Sequence, residues 1–195
     1  MTDTIDESTT RTWRLPAARA VAALLVGLPV AFVEHTVTVA FVSVTVFFCL
    51  TAIATGLFAR EAGAASARFR VLAVVHAAAA IAALVLLFAA PEPAVFVVLV
   101  AAWAAASAII EFSSRKLVAD RRSNDWTAVA VGTGAFALLV ACSPLLGIAD
   151  PVSLTGFFGV FAAVAGVYLA IAAASLAFGT KITEASAGDT VEAQP

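Results

Sequence analysis

Residues 13–58, WRLPAARAVAALLVGLPVAFVEHTVTVAFVSVTVFFCLTAIATGLF, form two apolar runs joined by a short polar turn at Glu34 and His35. Each run holds about 20 predominantly apolar residues, which at 1.5 Å rise per residue matches a hydrocarbon layer roughly 30 Å thick. Inside such a layer every backbone N–H and C=O must be satisfied within the segment, and runs of this length select helices over barrel strands of about 9 to 11 residues. The stretch therefore predicts a transmembrane helical hairpin, and the rest of the chain reads as two further versions of it.

Six apolar runs can be marked, at 15–33, 38–58, 71–90, 94–112, 126–146 and 152–178. The expected fold class is all-α: a polytopic membrane protein with six transmembrane helices arranged as three parallel two-helix hairpins in a pseudo-threefold bundle. The expected division is a cytoplasmic tail over 1–12, hairpins over 13–58, 69–116 and 126–180, and a disordered cytoplasmic tail over 181–195, where the composition turns to Ser, Thr, Gly and acids. Gly27 and Pro29 fall within the first run, where they are expected to bend the helix, as membrane helices tolerate.

Composition agrees: 63% of residues are hydrophobic and 12% charged, against about 25% charged in soluble domains. The net charge of −2 offers no basic face for displacing counterions from phosphates, so nucleic acid is excluded as a partner and the bilayer remains. Cys49 and Cys142 lie in separate runs without CxxC or Cys/His spacing, which suggests packing residues rather than a zinc site or disulfide. The first run lacks a cleavage pattern and is interrupted early by Arg19, as fits a retained helix.

Orientation follows from the basic residues. Arg11, Arg14 and Arg19 precede or open the first helix; Arg60, Arg68 and Arg70 lie between the second and third; Arg115, Lys116, Arg121 and Arg122 lie between the fourth and fifth; Lys181 follows the sixth. The alternate connections, around His35, Glu92 and Asp150, hold none. The positive-inside rule then places both termini in the cytoplasm of a cell membrane, with Trp13, Phe69, Phe112, Trp126 and Phe178 as an aromatic belt on that side.

The hairpins share a register. With Trp13, Arg70 and Trp126 aligned, Arg19, His76 and Gly132 each follow six residues later. All three hairpins start on the same side, unlike the inverted repeats of many transporters.

An Arg early in the first helix, a small-residue segment with Gly, a Pro near the exit and a Gly late in the return helix, here Arg19, Gly27, Pro29 and Gly56, resemble the HdeD-like acid-resistance membrane proteins. The resemblance covers about residues 13–181. It implies a six-helix membrane protein of short repeats, without known biochemical activity, associated with acid or general stress. The chain departs from the family pattern at Ala20, where a Gly often follows the Arg, and at His76 and Glu111, where small or apolar residues are usual.

Three ionisable residues lie within the runs, and a charge at the bilayer centre costs about 2.5 to 3.5 kcal/mol on insertion scales. Arg19 and His76 are some 7 Å inside their helices, and Glu111 is near the cytoplasmic end of the fourth. One reading makes them a polar cluster in which Arg19 pairs with Glu111. The other has Arg19 snorkelling to the headgroups, Glu111 at the interface and His76 as a satisfied core residue. Ala104, Ser107 and Glu111 repeat at helical spacing, as do Gly156, Gly159, Ala163, Gly166 and Ala170, which points Glu111 toward a packed face. In the outer turns, Glu34 beside His35 could respond to external acid, or both are solvated turn residues.

The inventory for catalysis is poor. No Asp lies in a run, no Ser/His/Asp set or HExxH occurs, and Gly132-Thr133-Gly134 sits inside a helix and reads as packing. No catalytic, cofactor or metal site is expected, nor is any small-molecule partner identifiable, and a homo-oligomer is left open. The favoured function is that of a non-enzymatic multi-pass membrane protein contributing to acid or general stress tolerance. The alternative is a small transporter or channel with a site near the bundle axis, and pocket polarity separates them.

Overall fold

The computed structural model describes residues 13–117 and 120–191, with side chains over 13–117 and 125–178. The expectations for the first twelve residues and the last four lie outside it. All regular structure among the described residues is helical: α1 Arg14–Val30, α2 Val37–Phe58, α3 Ser66–Ala89, α4 Pro93–Ser114, α5 Asp120–Cys142 and α6 Pro151–Val191, with short 3-10 segments at Ala59–Ala65 and Arg115–Leu117. Among the described residues, four stretches are long and apolar enough to cross a membrane: Val37–Ala89, Pro93–Leu117, Asp125–Cys142 and Pro151–Phe178. The first contains both α2 and α3, separated by a break at Gly63, whose φ of +58° is one that side chains rarely adopt. At 17 residues, α1 is the shortest of the α-helices.

Local chemistry sets the helix ends at the turns around His35, Glu92 and Asp150. The Thr36 hydroxyl accepts from the Val39 N–H at 3.2 Å to start α2, and Pro93 occupies the first turn of α4, where its missing N–H is no loss. Asp150 starts α6: its Oδ1 accepts from the N–H groups of Val152 and Ser153, both at 3.0 Å, and its Oδ2 from the Ser153 hydroxyl at 2.5 Å. Within the helices, Thr45, Thr51, Thr133 and Thr155 donate to carbonyls one turn back, so their hydroxyls are satisfied without water.

The helices adjoin in chain order, and α6 closes on α1. The most extensive contacts join α1 to α6, α2 to α3 and α4 to α5, whereas the backbones of partners within a hairpin approach less, those of α5 and α6 least, so that this last pair meets through long side chains. The tightest seam is α1 on α6. A Cβ built at Gly27 would lie 2.5 Å from the Ala163 backbone nitrogen, one at Gly159 2.7 Å from Val30, and one at Gly166 2.7 Å from Leu24. Gly27 thus permits backbone approach, beyond any bending of α1. Looser packing within hairpins leaves two outward-facing apolar grooves, about 680 Å³ between α3 and α4 and about 640 Å³ between α5 and α6.

Polarity is inverted relative to a water-soluble bundle. Leu25, Val74, Ile81, Phe88, Val98, Ile109, Leu138 and Val160 face outward, while Arg19, His76, Ser107 and Glu111 are buried. An apolar exterior this continuous needs an apolar surrounding. The helices are those of a membrane protein.

Several expectations are corrected. Cys49 and Cys142 face outward rather than filling gaps in the core. Phe69 and Trp126 do not join an interfacial belt: both are buried, with rings 4.7 Å apart, and they plug the end of the bundle with Leu15, Ala62 and Leu72. Trp13, Phe112 and Phe178 do face outward. From Lys181 the backbone continues α6 as far as Val191 instead of ending at an unstructured tail. Lys, Glu and Ala in that segment are good helix formers, and an existing helix extends more readily than a new one nucleates.

Candidate functional site

Arg19 lies about a turn and a half into α1, and its guanidinium turns into the bundle. Its Nη2 donates to Oε1 of Glu111 at 2.5 Å, and the pair is buried, Arg19 at 7% and Glu111 at 1% exposure. The Trp126 ring lies beneath the guanidinium, 5.4 Å from its centroid to Cζ, adding a cation–π contact. Glu111 reaches this position because Ala104, Ser107 and Glu111 share the buried face of α4 with Val100 and Trp103.

His76, at 1% exposure, approaches from α3. Its Nδ1 accepts from the indole Nε1–H of Trp103 at 2.8 Å. Because an indole nitrogen only donates, Nδ1 of His76 carries no proton, and the neutral ring holds its proton on Nε2. On the side away from the basic end, Trp103 is held edge-on by Phe47 at 5.6 Å and tilted against Phe48 at 4.6 Å, while Phe136 stacks on Phe161 at 4.1 Å.

Between these layers lies a cavity of about 20 Å³, lined by Arg19 and Ala23 of α1, Phe47 and Thr51 of α2, His76 of α3, Trp103, Ser107 and Glu111 of α4, Val129 and Thr133 of α5, and Phe161, Ala165 and Leu169 of α6. Every helix contributes. The structure thus brings Arg19, His76 and Glu111 together. Gly132 does not join them: it faces outward, and the neighbouring Thr133 takes the place in α5. One residue is about 100° of helix rotation, finer than an alignment of three degenerate hairpins resolves.

The Glu34–His35 pair is separate from this centre. Glu34 is exposed, and His35 Nε2 donates to the Val30 carbonyl at 2.9 Å, closing the end of α1. Trp103, Trp126, Thr51 and Thr133 were not singled out for the site from the sequence. Trp103 carries a signal: it stands four residues before Ser107 and eight before Glu111, on one helical face.

The basic end of the bundle is cross-braced. Arg14 of α1 lies 4.0 Å from Glu61, Arg68 of α3 donates to the Ser113 carbonyl at the end of α4, and Arg115 covers the Phe112 ring at 3.8 Å. Tyr168 of α6 donates to Asp125 of α5 at 3.3 Å. Among the described residues, no group of three or more His, Cys, Asp or Glu stands close enough to hold a metal ion.

Compared with known proteins, the chain matches no family model, no curated protein and no solved structure.

Proposed function

We propose that the chain is a non-enzymatic, multi-pass integral membrane protein of the HdeD-like kind, which crosses a cell membrane six times as three hairpins and contributes to acid or general stress tolerance. The observation that carries the scaffold part of this reading is the Arg19–Glu111 pair, enclosed under side chains from all six helices around a cavity too small for any organic solute, while the acid or stress role rests on the resemblance at Arg19, Gly27, Pro29 and Gly56. Such an arrangement holds a bundle together and offers no route for a substrate. In the resemblance to the HdeD-like proteins, Gly27 and Gly56 gain a physical meaning as contact positions, against α6 and α3 respectively.

The orientation we propose, with both termini and the basic connections in the cytoplasm, is supported by the gathering of Arg14, Arg68 and Arg115 at one end, while Glu34, Glu92 and Asp150 lie in the alternate connections. The bilayer is the main partner, with acyl chains filling the two apolar grooves. One observation favours a small transporter or channel instead: ionisable groups from three helices meet inside the bundle. With a cavity of about 20 Å³, the passenger on that reading is a proton or water.

Survival of a deletion strain across external pH, together with proton and ion flux in proteoliposomes, tests the proposal. A survival defect in acid without flux supports the scaffold reading, and specific flux abolished by Glu111→Gln moves the protein to the transporter class. Unchanged survival without flux removes the stress role.

A further inference from the structure

We infer that the cavity among Arg19, His76, Ser107 and Glu111 is a binding site for a single water molecule, which bridges His76 to Glu111. The inference rests on the reading of this cluster as the buried centre of a membrane bundle and names what that centre holds.

The four side chains are each more than nine-tenths buried, and each presents a polar atom without a protein partner: Nε and Nη1 of Arg19, Nε2 of His76, Oγ of Ser107 and Oε2 of Glu111. All four line the same cavity. Leaving a buried donor or acceptor unmade costs about 1 to 3 kcal/mol, more for a charged group, so this concentration of unpaired groups calls for a common partner.

The chemistry of that partner follows from the lining. An anion would meet the second carboxylate oxygen of Glu111, and a cation would meet the Arg19 guanidinium, so the occupant is neutral. A metal ion would find one carboxylate and a histidine whose Nδ1 is already engaged by Trp103, which is too few ligands. Size is equally restrictive: a water needs roughly 10 to 15 Å³ of such space, so about 20 Å³ admits water and nothing much larger.

Hydrogen-bond polarity completes the match. The tautomer set by Trp103 presents Nε2–H of His76 as a donor, and Arg19 also only donates. Glu111 Oε2 accepts, and the Ser107 hydroxyl does either. A water accepting from His76 and Arg19 and donating to Glu111 and Ser107 uses all four of its positions. It joins α1, α3 and α4 through one molecule, and the Arg19–Glu111 pair is thereby solvated inside an otherwise apolar bundle.

The test is nitrogen-15 histidine NMR on the full chain in lipid nanodiscs, with His35→Gln removing the signals of the other histidine. His76 is expected to show a protonated Nε2, an unprotonated Nδ1 and magnetisation transfer from water to the Nε2 proton. Ala165→Val, which fills the cavity while keeping every polar group, is expected to abolish that transfer. Absence of transfer in the parent protein, or its persistence in Ala165→Val, would overturn the inference. Should Ala165→Val not fold, a structure of the parent chain at a resolution that shows waters decides. One density peak within hydrogen-bond distance of both His76 Nε2 and Glu111 Oε2 supports the site, and a dry cavity or a direct His76–Glu111 bond overturns it. Failure of the survival or flux assays changes the physiological reading without moving the NMR signal.

Discussion

Trp103 donates its indole N–H to Nδ1 of His76 at 2.8 Å, and this contact between adjacent helices fixes which nitrogen of the imidazole carries its proton. It also anchors the aromatic layer over the cavity, since Phe47 and Phe48 both pack on the Trp103 ring. Trp103→Phe keeps most of the ring volume and removes the donor. The expected loss is about 1 to 3 kcal/mol for a stranded buried acceptor, read as a lower Tm in detergent. A variant as stable as the parent would show that the indole contributes only its bulk.

The glycines of the helix seams are predicted to differ sharply. Gly27→Ala drives a Cβ to 2.5 Å from the Ala163 backbone nitrogen, so α1 or α6 must shift, at an expected cost of about 1 to 3 kcal/mol. Gly56→Ala meets only the Ala73 Cβ at 3.8 Å, an ordinary contact, and is expected to be neutral or stabilising through helix propensity. Thermal denaturation of the two variants side by side checks the contrast. Equal effects would remove the distinction between the α1–α6 and α2–α3 seams.

How far the sequence led can be judged residue by residue. The helices were legible because run length against membrane thickness is a coarse and robust signal, and Arg19, His76 and Glu111 stood out because ionisable groups in apolar runs are costly. Their neighbours were hidden. Phe69 and Trp126 near helix ends look alike whether they turn out toward headgroups or in against each other, with Trp126 also under Arg19. With apolar residues on every side of each helix, the pattern contained no face to say that α1 seals most closely against α6 rather than α2. The choice of Thr133 over Gly132 turned on a single residue of rotation.

Topology is checked by labelling. In a chain with Cys49 and Cys142 replaced by alanine, Glu92→Cys is expected to react with an impermeant thiol reagent from outside the cell and Lys116→Cys only after lysis, both side chains being exposed at their positions. The reverse pattern would invert the protein in the membrane.

A pH dependence follows at the start of α6. The Ser153 hydroxyl, followed by the Ser153 and Val152 N–H groups, holds the Asp150 carboxyl below its ordinary value of 3.8. A lowered folded-state value means that the cap's contribution is present above the ordinary carboxylate range and is lost as pH falls through the folded value. Asp150→Asn keeps an acceptor but not the charge, and is expected to flatten the acid limb of a Tm-against-pH curve. An acid limb identical to the parent's would assign it to other carboxylates.

The most direct test of the central claim, that a buried Arg19–Glu111 pair holds the bundle together, is a double-mutant cycle on thermal stability in detergent. Arg19→Leu and Glu111→Leu alone each strand a buried charge, at an expected cost of about 3 to 5 kcal/mol, whereas the double variant replaces both and is expected to be much nearer the parent. The cycle should therefore show strong coupling, with the second substitution relieving most of the loss caused by the first. Additive losses would contradict the account and return Arg19 to snorkelling at the membrane surface.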